Sequence, residues 1–196
     1  MDSFEYLITL VSVIAGLGIT RTLSGLARLF DYRHQIIFSW ITIAWTINVL
    51  LWLVAFWWFT FLLSSLDGWS PWLHVFVLVY AGVIFFMLAL LHPESIDGEF
   101  DMFGRFISNR KMFFGVLMAT AIIDVIDTLI KGHMGLPTPP LTTYSAFILS
   151  WIVISGIALF AKNRAVHGAC SMLFLVVMAV WMSQMIAGLM DSVAKV

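Results

Sequence analysis

The stretch TAIIDVIDTLIKG, residues 120–132, carries two aspartates and a lysine within a segment that is otherwise apolar. Thr120, Asp124, Asp127 and Lys131 follow the spacing i, i+4, i+7, i+11, so in a helix their side chains form one stripe. Two carboxylates on one helix face repel each other, and one of them can therefore hold a proton. The stripe predicts a site that binds or carries a cation or a proton.

A positive charge in the first apolar segment is a candidate partner for these carboxylates. Arg21 stands within GLGITRTLSG, where small residues would allow a second helix to approach closely. We therefore expect Arg21 to be the counter-charge of Asp124 and Asp127 in the ion or proton site. The alternative is an Arg–Asp pair that only holds two helices together. The supporting polar residues are expected to be Thr120, Lys131, Thr20 and Asn48.

The composition indicates that helices in a lipid bilayer position these groups. The chain of 196 residues is 62% hydrophobic and 11% charged, and its mean hydropathy is +1.02. A bilayer core of about 30 Å requires about 20 apolar residues per helix, and no alternation typical of a membrane β-barrel occurs. We predict an all-α integral membrane protein whose six transmembrane helices lie near residues 4–26, 36–63, 72–91, 112–130, 141–161 and 169–190.

The basic residues predict the orientation of the six spans. Eight of the ten lysines and arginines fall on one side of this arrangement or face it. Because positive residues are retained in the cytoplasm, we expect the loops near Arg33, Arg105 and Arg164 to be cytoplasmic and both termini to lie outside. Lys131 and Lys195 are the two exceptions. The expected location is a cell membrane of the bacterial inner-membrane type.

The domain organisation has two interpretations. The loops are too short for a second soluble domain, so we expect one six-helix transmembrane domain over residues 1–196. A weak internal similarity, SWITI at 39–43 and SWIVI at 150–154, is also compatible with two inverted three-helix repeats, 1–93 and 112–196, joined by a cytoplasmic linker, 94–111. The linker is expected to be either a short amphipathic helix in the headgroup layer or an ordinary loop.

Several classes of function are disfavoured by the sequence. The net charge of −1 and the lack of a basic patch argue against nucleic acid as a partner. Common nucleotide, zinc-protease, hydrolase and redox motifs are missing, and the single cysteine, Cys170, allows no intrachain disulfide. We expect no metal and no cofactor. Haem would need a histidine pair such as His92 with His167 or His74 with His133, and these histidines lie at predicted helix ends.

The sequence therefore leads to one expected function and two alternatives. The first is a small transporter or channel for a cation or a proton-coupled solute. The second is a non-catalytic accessory or assembly subunit of a larger membrane complex, indicated by the short loops and the large apolar surface. Under both hypotheses lipid is an expected partner. The expected protein partners are further copies of this chain or the subunits of a larger membrane complex. An enzyme that acts on lipid ranks third, because residues 92–111 contain carboxylates and a histidine in no recognisable arrangement.

Overall fold

The protein is a bundle of six helices that are each long and apolar enough to cross a membrane. The computed structural model describes residues 3–66, 68–92, 96 and 98–193, with side chains described up to residue 186. The expected position of Lys195 and of both chain ends falls outside these residues. The helices are α1 (Ser3–Asp31), α2 (Trp40–Thr60), α3 (Pro71–Leu91), α4 (Met102–His133), α5 (Leu141–Phe160) and α6 (Arg164–Val193).

Local sequence explains where several helices begin and end. The Ser70 hydroxyl accepts a hydrogen bond from Leu73 N at 3.2 Å, with Pro71 as the first residue of α3. The Asp101 and Asn163 side chains cap α4 and α6 in the same manner, accepting bonds from backbone N–H groups two residues further on. Helix α4 ends where Gly135 adopts a φ of 74°, which favours glycine.

Helix α4 begins ten residues earlier than the sequence predicts. The expected span started at residue 112, whereas the helix starts at Met102. Most of the expected linker, 94–111, therefore belongs to α4 among the residues that the structure describes. The linker is neither a separate helix nor a simple loop, because the Asp101 cap allows the helix to begin before the apolar segment.

The chain alternates between two ends of the bundle. The Arg end carries residues 32–39, 92, 96, 98–101 and 161–163, and the Pro end carries residues 66, 68–70 and 134–140. At the Arg end, two-residue strands β1 (Ile36–Ile37) and β2 (Phe100–Asp101) pair in parallel. At the Pro end, His74 Nε2 lies 3.3 Å from the carbonyl of Ser3.

Helix α2 occupies the centre of the bundle. It contacts α1, α3, α4 and α6, while α1 also packs on α3, and α5 packs on α4 and α6. The core around α2 is aromatic: the Trp45 ring centroid lies 5.1 Å from that of Phe114 and 5.5 Å from that of Phe174. Trp52 packs edge-on against Trp151 at 4.6 Å. These contacts fix the rotation of α2, α4, α5 and α6 and thereby the placement of their polar side chains.

Candidate functional site: a buried carboxylate at a cavity

Asp124 lies in the interior of the bundle, where α3, α4 and α5 meet. Its side chain is buried, and its two carboxylate oxygens accept hydrogen bonds from different helices. Tyr80 of α3 donates to Oδ1 at 2.9 Å, and Tyr144 of α5 donates to Oδ2 at 2.9 Å. Three helices are therefore joined at one carboxyl group, about 14 Å by helical rise from the end of α4 at His133.

A cavity connects this carboxyl group with the Pro end. Its volume is about 50 Å³, and since one water needs about 10–15 Å³ it can hold about three to five waters. The wall contains Asp124 and Asp127, and the loop residues Pro137, Thr138 and Pro139 extend it toward the Pro end. The full lining is Trp52, Phe56, Phe59, Leu62, Tyr80, Asp124, Asp127, Thr128, Lys131, Pro137, Thr138, Pro139, Tyr144, Trp181 and Met185. A small ion or water fits this space.

Asp127 and Lys131 form an ion pair in the same wall. Lys131 Nζ lies 2.5 Å from Asp127 Oδ2 one turn away on α4, and both side chains are largely buried. This arrangement agrees with the stripe expected from the sequence. It also separates the roles of the two carboxylates, because Asp127 has a cationic partner on its own helix while Asp124 has two neutral phenols.

Arg21 does not meet either aspartate in the structure. Its Nη2 donates to the carbonyl of His92 at 3.5 Å, next to the last residue of α3. Tyr80, which bonds Asp124, is twelve residues earlier on that helix, or about 18 Å by helical rise. The expected pair between Arg21 and the aspartates is therefore not formed. The reason is that α1 packs on α2 and α3, and the small-residue face expected to meet α4 points outward: Thr20 is exposed.

Two supporting residues are in the interior but outside the cavity wall. Thr120 is fully buried, and its hydroxyl donates to the carbonyl of Val116 at 2.8 Å. Asn48 is fully buried on α2, where Nδ2 donates to the carbonyl of Ser171 at 3.0 Å. Neither is among the residues that line the cavity at Asp124.

The histidines considered for haem have protein neighbours of other kinds. His92 is buried, with Nε2 3.4 Å from the Thr46 hydroxyl. His167 Nε2 donates to the carbonyl of Ala161 at 3.1 Å, and its ring stacks on Phe114. Within the part of the chain that the structure describes, no group of three or more His, Cys, Asp or Glu side chains could hold a metal ion. The expectation of no cofactor stays a prediction.

Sequence reasoning missed part of the site. Tyr80, Tyr144 and Thr128 were not among the residues predicted for it, although all three line the cavity. The usable signal was chemical: a tyrosine within an apolar span needs a hydrogen-bond partner for its hydroxyl. The spacing within one helix does not reveal which helix supplies that partner.

Comparison with known proteins gives no further assignment. No family model matches the chain, and neither a curated protein nor a solved structure matches it.

Proposed function

We propose that the protein is a small transporter or channel that moves a cation, or a solute coupled to a proton, with Asp124 as the ion-binding or proton-binding group. The observation that carries this proposal is the burial of the Asp124 carboxyl against a cavity that holds water-sized ligands. An ionisable group at this depth in a bilayer is costly, and such groups are characteristic of ion and proton pathways. Asp127 and Lys131 form the entrance to the site.

The orientation belongs to the same proposal. The Arg end would face the cytoplasm of a bacterial-type inner membrane, and the cavity would open to the outside at the Pro end. Cations arriving from outside would then meet the Asp127–Lys131 pair before Asp124. The two inverted repeats stay a prediction of the sequence.

The test is ion flux through purified protein in sealed lipid vesicles. A pH-sensitive dye inside the vesicles reports proton entry driven by a valinomycin potential, and parallel assays use Na⁺ and K⁺. Wild-type protein should exceed protein-free vesicles for at least one ion, and Asp124→Asn should reduce that flux at least tenfold. The matched control is Asp31→Asn, which changes an exposed aspartate on α1. Equal flux for wild type and Asp124→Asn, or no flux for any of the three ions, contradicts the proposal.

A second candidate function is that of an accessory subunit in a membrane complex. The observation that favours it is the outward stripe of small residues on α1, where Ser12, Gly16, Thr20 and Ser24 are exposed. Small residues at this spacing are typical of helix–helix contacts in membranes. Purification in mild detergent distinguishes the two: a different protein retained at fixed stoichiometry supports the subunit, and a monomer or homo-oligomer with Asp124-dependent flux supports the transporter.

A further inference from the structure

One face of α2 carries four buried polar atoms for which the described residues provide no hydrogen-bond partner. They are Thr42 Oγ1, Trp45 Nε1, Asn48 Oδ1 and Trp52 Nε1. At 100° per residue these positions fall within an arc of about 120°, so the four side chains form a column along the central helix. All four side chains are at most 4% exposed.

The two ends of the column line two different cavities. Trp52 lines the cavity at Asp124, and Thr42, ten residues or about 15 Å nearer the Arg end, lines a second cavity together with His92, Arg105 and Asn109. The second cavity has a volume of about 10 Å³, which is about the space of one water. Along α2, the intervening polar positions are separated by about 4.5–6 Å of helical rise.

A fifth polar atom of this kind lies on α5. Ser155 is fully buried, and its hydroxyl also lacks a partner among the described residues. Trp52 contacts Trp151. Asn48 lies one turn before Trp52 on the same face of α2, and Ser155 lies one turn after Trp151 on the same face of α5. Because α2 and α5 run in opposite directions, both positions lie one turn closer to the Arg end. Asn48 and Ser155 are therefore at a similar depth on two helices whose tryptophan rings are in contact.

Unpartnered polar atoms of this kind require an explanation. Nearly all buried polar groups in native proteins are bonded to protein or to ordered water, and each exception costs free energy. A single such atom needs no common explanation, but five that lie between the two cavities would all be explained by water in the core. The two indole groups can only donate, while Asn48 Oδ1 accepts and the Ser155 hydroxyl does both. Together they supply both kinds of partner for waters.

We infer that the Thr42–Trp45–Asn48–Trp52 column and Ser155 bind a file of internal waters that carries protons between Asp124 and the Arg end. This inference rests on the proposed function and names its substrate as the proton. Indole N–H groups point positive charge into the column, and a metal cation would lack the ring of oxygen ligands that replaces its hydration shell. A proton needs only a continuous chain of hydrogen bonds.

The transfer balances without any further reactant. A proton leaves the Asp124 carboxyl as its O–H bond breaks and a new O–H bond forms on the first water. Each water then releases a different proton to the next oxygen, and one proton is delivered to the water at Thr42. The carboxylate takes up a replacement from the outer cavity, and no electron is transferred.

Water contact can be measured directly by solid-state NMR of the full chain in lipid. Magnetisation transferred from water should reach the indole N–H groups of Trp45 and Trp52. The internal reference is Trp151, whose indole is as deeply buried but donates to the carbonyl of Leu117 at 3.1 Å. If magnetisation transfer from water to the Trp45 and Trp52 indoles is as weak as transfer to Trp151, the inference is wrong, regardless of the proton flux measured in vesicles.

The route is tested by proton flux in the same vesicles. Ser155→Ala and Asn48→Leu should each lower proton flux at least tenfold, while Ser150→Ala should not, because the Ser150 hydroxyl is bonded to the carbonyl of Ala146 on its own helix. Ser155→Ala is the milder change and keeps the test valid if Asn48→Leu does not fold. Undiminished flux in a folded Ser155→Ala variant and in Asn48→Leu refutes the route. If flux depends on Asp124 but Trp45 and Trp52 show no contact with water, this inference is wrong and the proposed function stands. If the wild type shows no proton flux, both this inference and the proposal of proton transport are wrong.

Discussion

Asp124 shows how a carboxyl group is accommodated in the interior of a bundle of apolar helices without an arginine. The lenient estimate for a charged aspartate at the centre of a bilayer is about 2.5–3.5 kcal/mol. A hydrogen bond to a charged group contributes about 1.5–3 kcal/mol, so the phenols of Tyr80 and Tyr144 together can offset that cost. The counter-charge expected from Arg21 is therefore not required.

The stripe on α4 could be predicted from the sequence, but its partners could not. Spacing fixes the angle between Asp124, Asp127 and Lys131 on one helix, and the Asp127–Lys131 pair follows from that angle. Which neighbouring helix Asp124 meets depends on how each helix is rotated about its axis. That rotation is set by the packing of large side chains such as Trp45 and Trp151.

His92 makes the stability of the fold dependent on pH. Its burial, with the positive charges of Arg21 and Arg28 nearby, lowers the pKa of His92 from 6.5 to about 4. The folded state therefore favours neutral His92, so this contribution to stability is fully present above pH 6.5. It is lost progressively as the pH falls toward 4, and the total loss is about 3 kcal/mol at 1.36 kcal/mol per pKa unit.

Thermal unfolding in detergent at pH 7, 6, 5 and 4 measures this effect. The unfolding midpoint of the wild type should fall more steeply below pH 6.5 than that of His92→Gln, which has no titrating ring. His34→Gln, which changes an exposed histidine, should behave like the wild type. Parallel pH profiles for the wild type and His92→Gln would show that His92 titrates equally in both states.

At the scale of the element, α1 carries two stripes of small residues, and the sequence alone does not show which of them packs against other helices. One stripe includes Ser12, Gly16 and Thr20 and is exposed; the other includes Gly18 and Gly25 and is buried. Both contain small residues at helical spacing, so both are suitable for close packing. The buried stripe meets α3 because Gly25 leaves space for the His92 ring, a fit between helices that hydropathy does not encode.

Alanine substitutions distinguish the two stripes. A Cβ at Gly25 would lie 2.6 Å from the His92 ring, whereas a Cβ at Gly16 would meet nothing within 4 Å. Gly25→Ala should destabilise the protein by about 1–3 kcal/mol through overpacking. Gly16→Ala should be neutral or stabilising by up to about 1 kcal/mol, because alanine is the better helix former. Thermal unfolding in detergent compares the two, and an equal or larger loss for Gly16→Ala would contradict the packing of α1 on α3.

At the scale of the whole molecule, the six helices follow from the sequence because each apolar segment is long enough to span a membrane. The start of α4 was less predictable, since it depends on the Asp101 cap rather than on hydropathy. The arrangement of α2 at the centre depends on contacts between distant segments. Such contacts leave little periodic signal in helices that are apolar on most sides.

The orientation of the molecule can be tested with single cysteines in a Cys170→Ala background. Ser65→Cys lies near the Pro end and Ser108→Cys lies near the Arg end of α4, and both positions are exposed. Because basic residues concentrate at the Arg end, an impermeant thiol reagent added to intact cells should label Ser65→Cys only. Labelling both in permeabilised cells is the control. Labelling of Ser108→Cys in intact cells would invert the orientation.

The short parallel pairing of β1 with β2 has a consequence for the order of folding. Phe100 N donates to the carbonyl of Gln35 at 2.8 Å, so the contact closes a long loop of chain that contains both α2 and α3. Closing a loop of this length costs conformational entropy, which two paired residues recover only in part. We therefore expect the hairpin of α2 and α3 to assemble before the pairing of β1 with β2 becomes stable. We also expect the Phe100 amide hydrogen to exchange early when the bundle loosens.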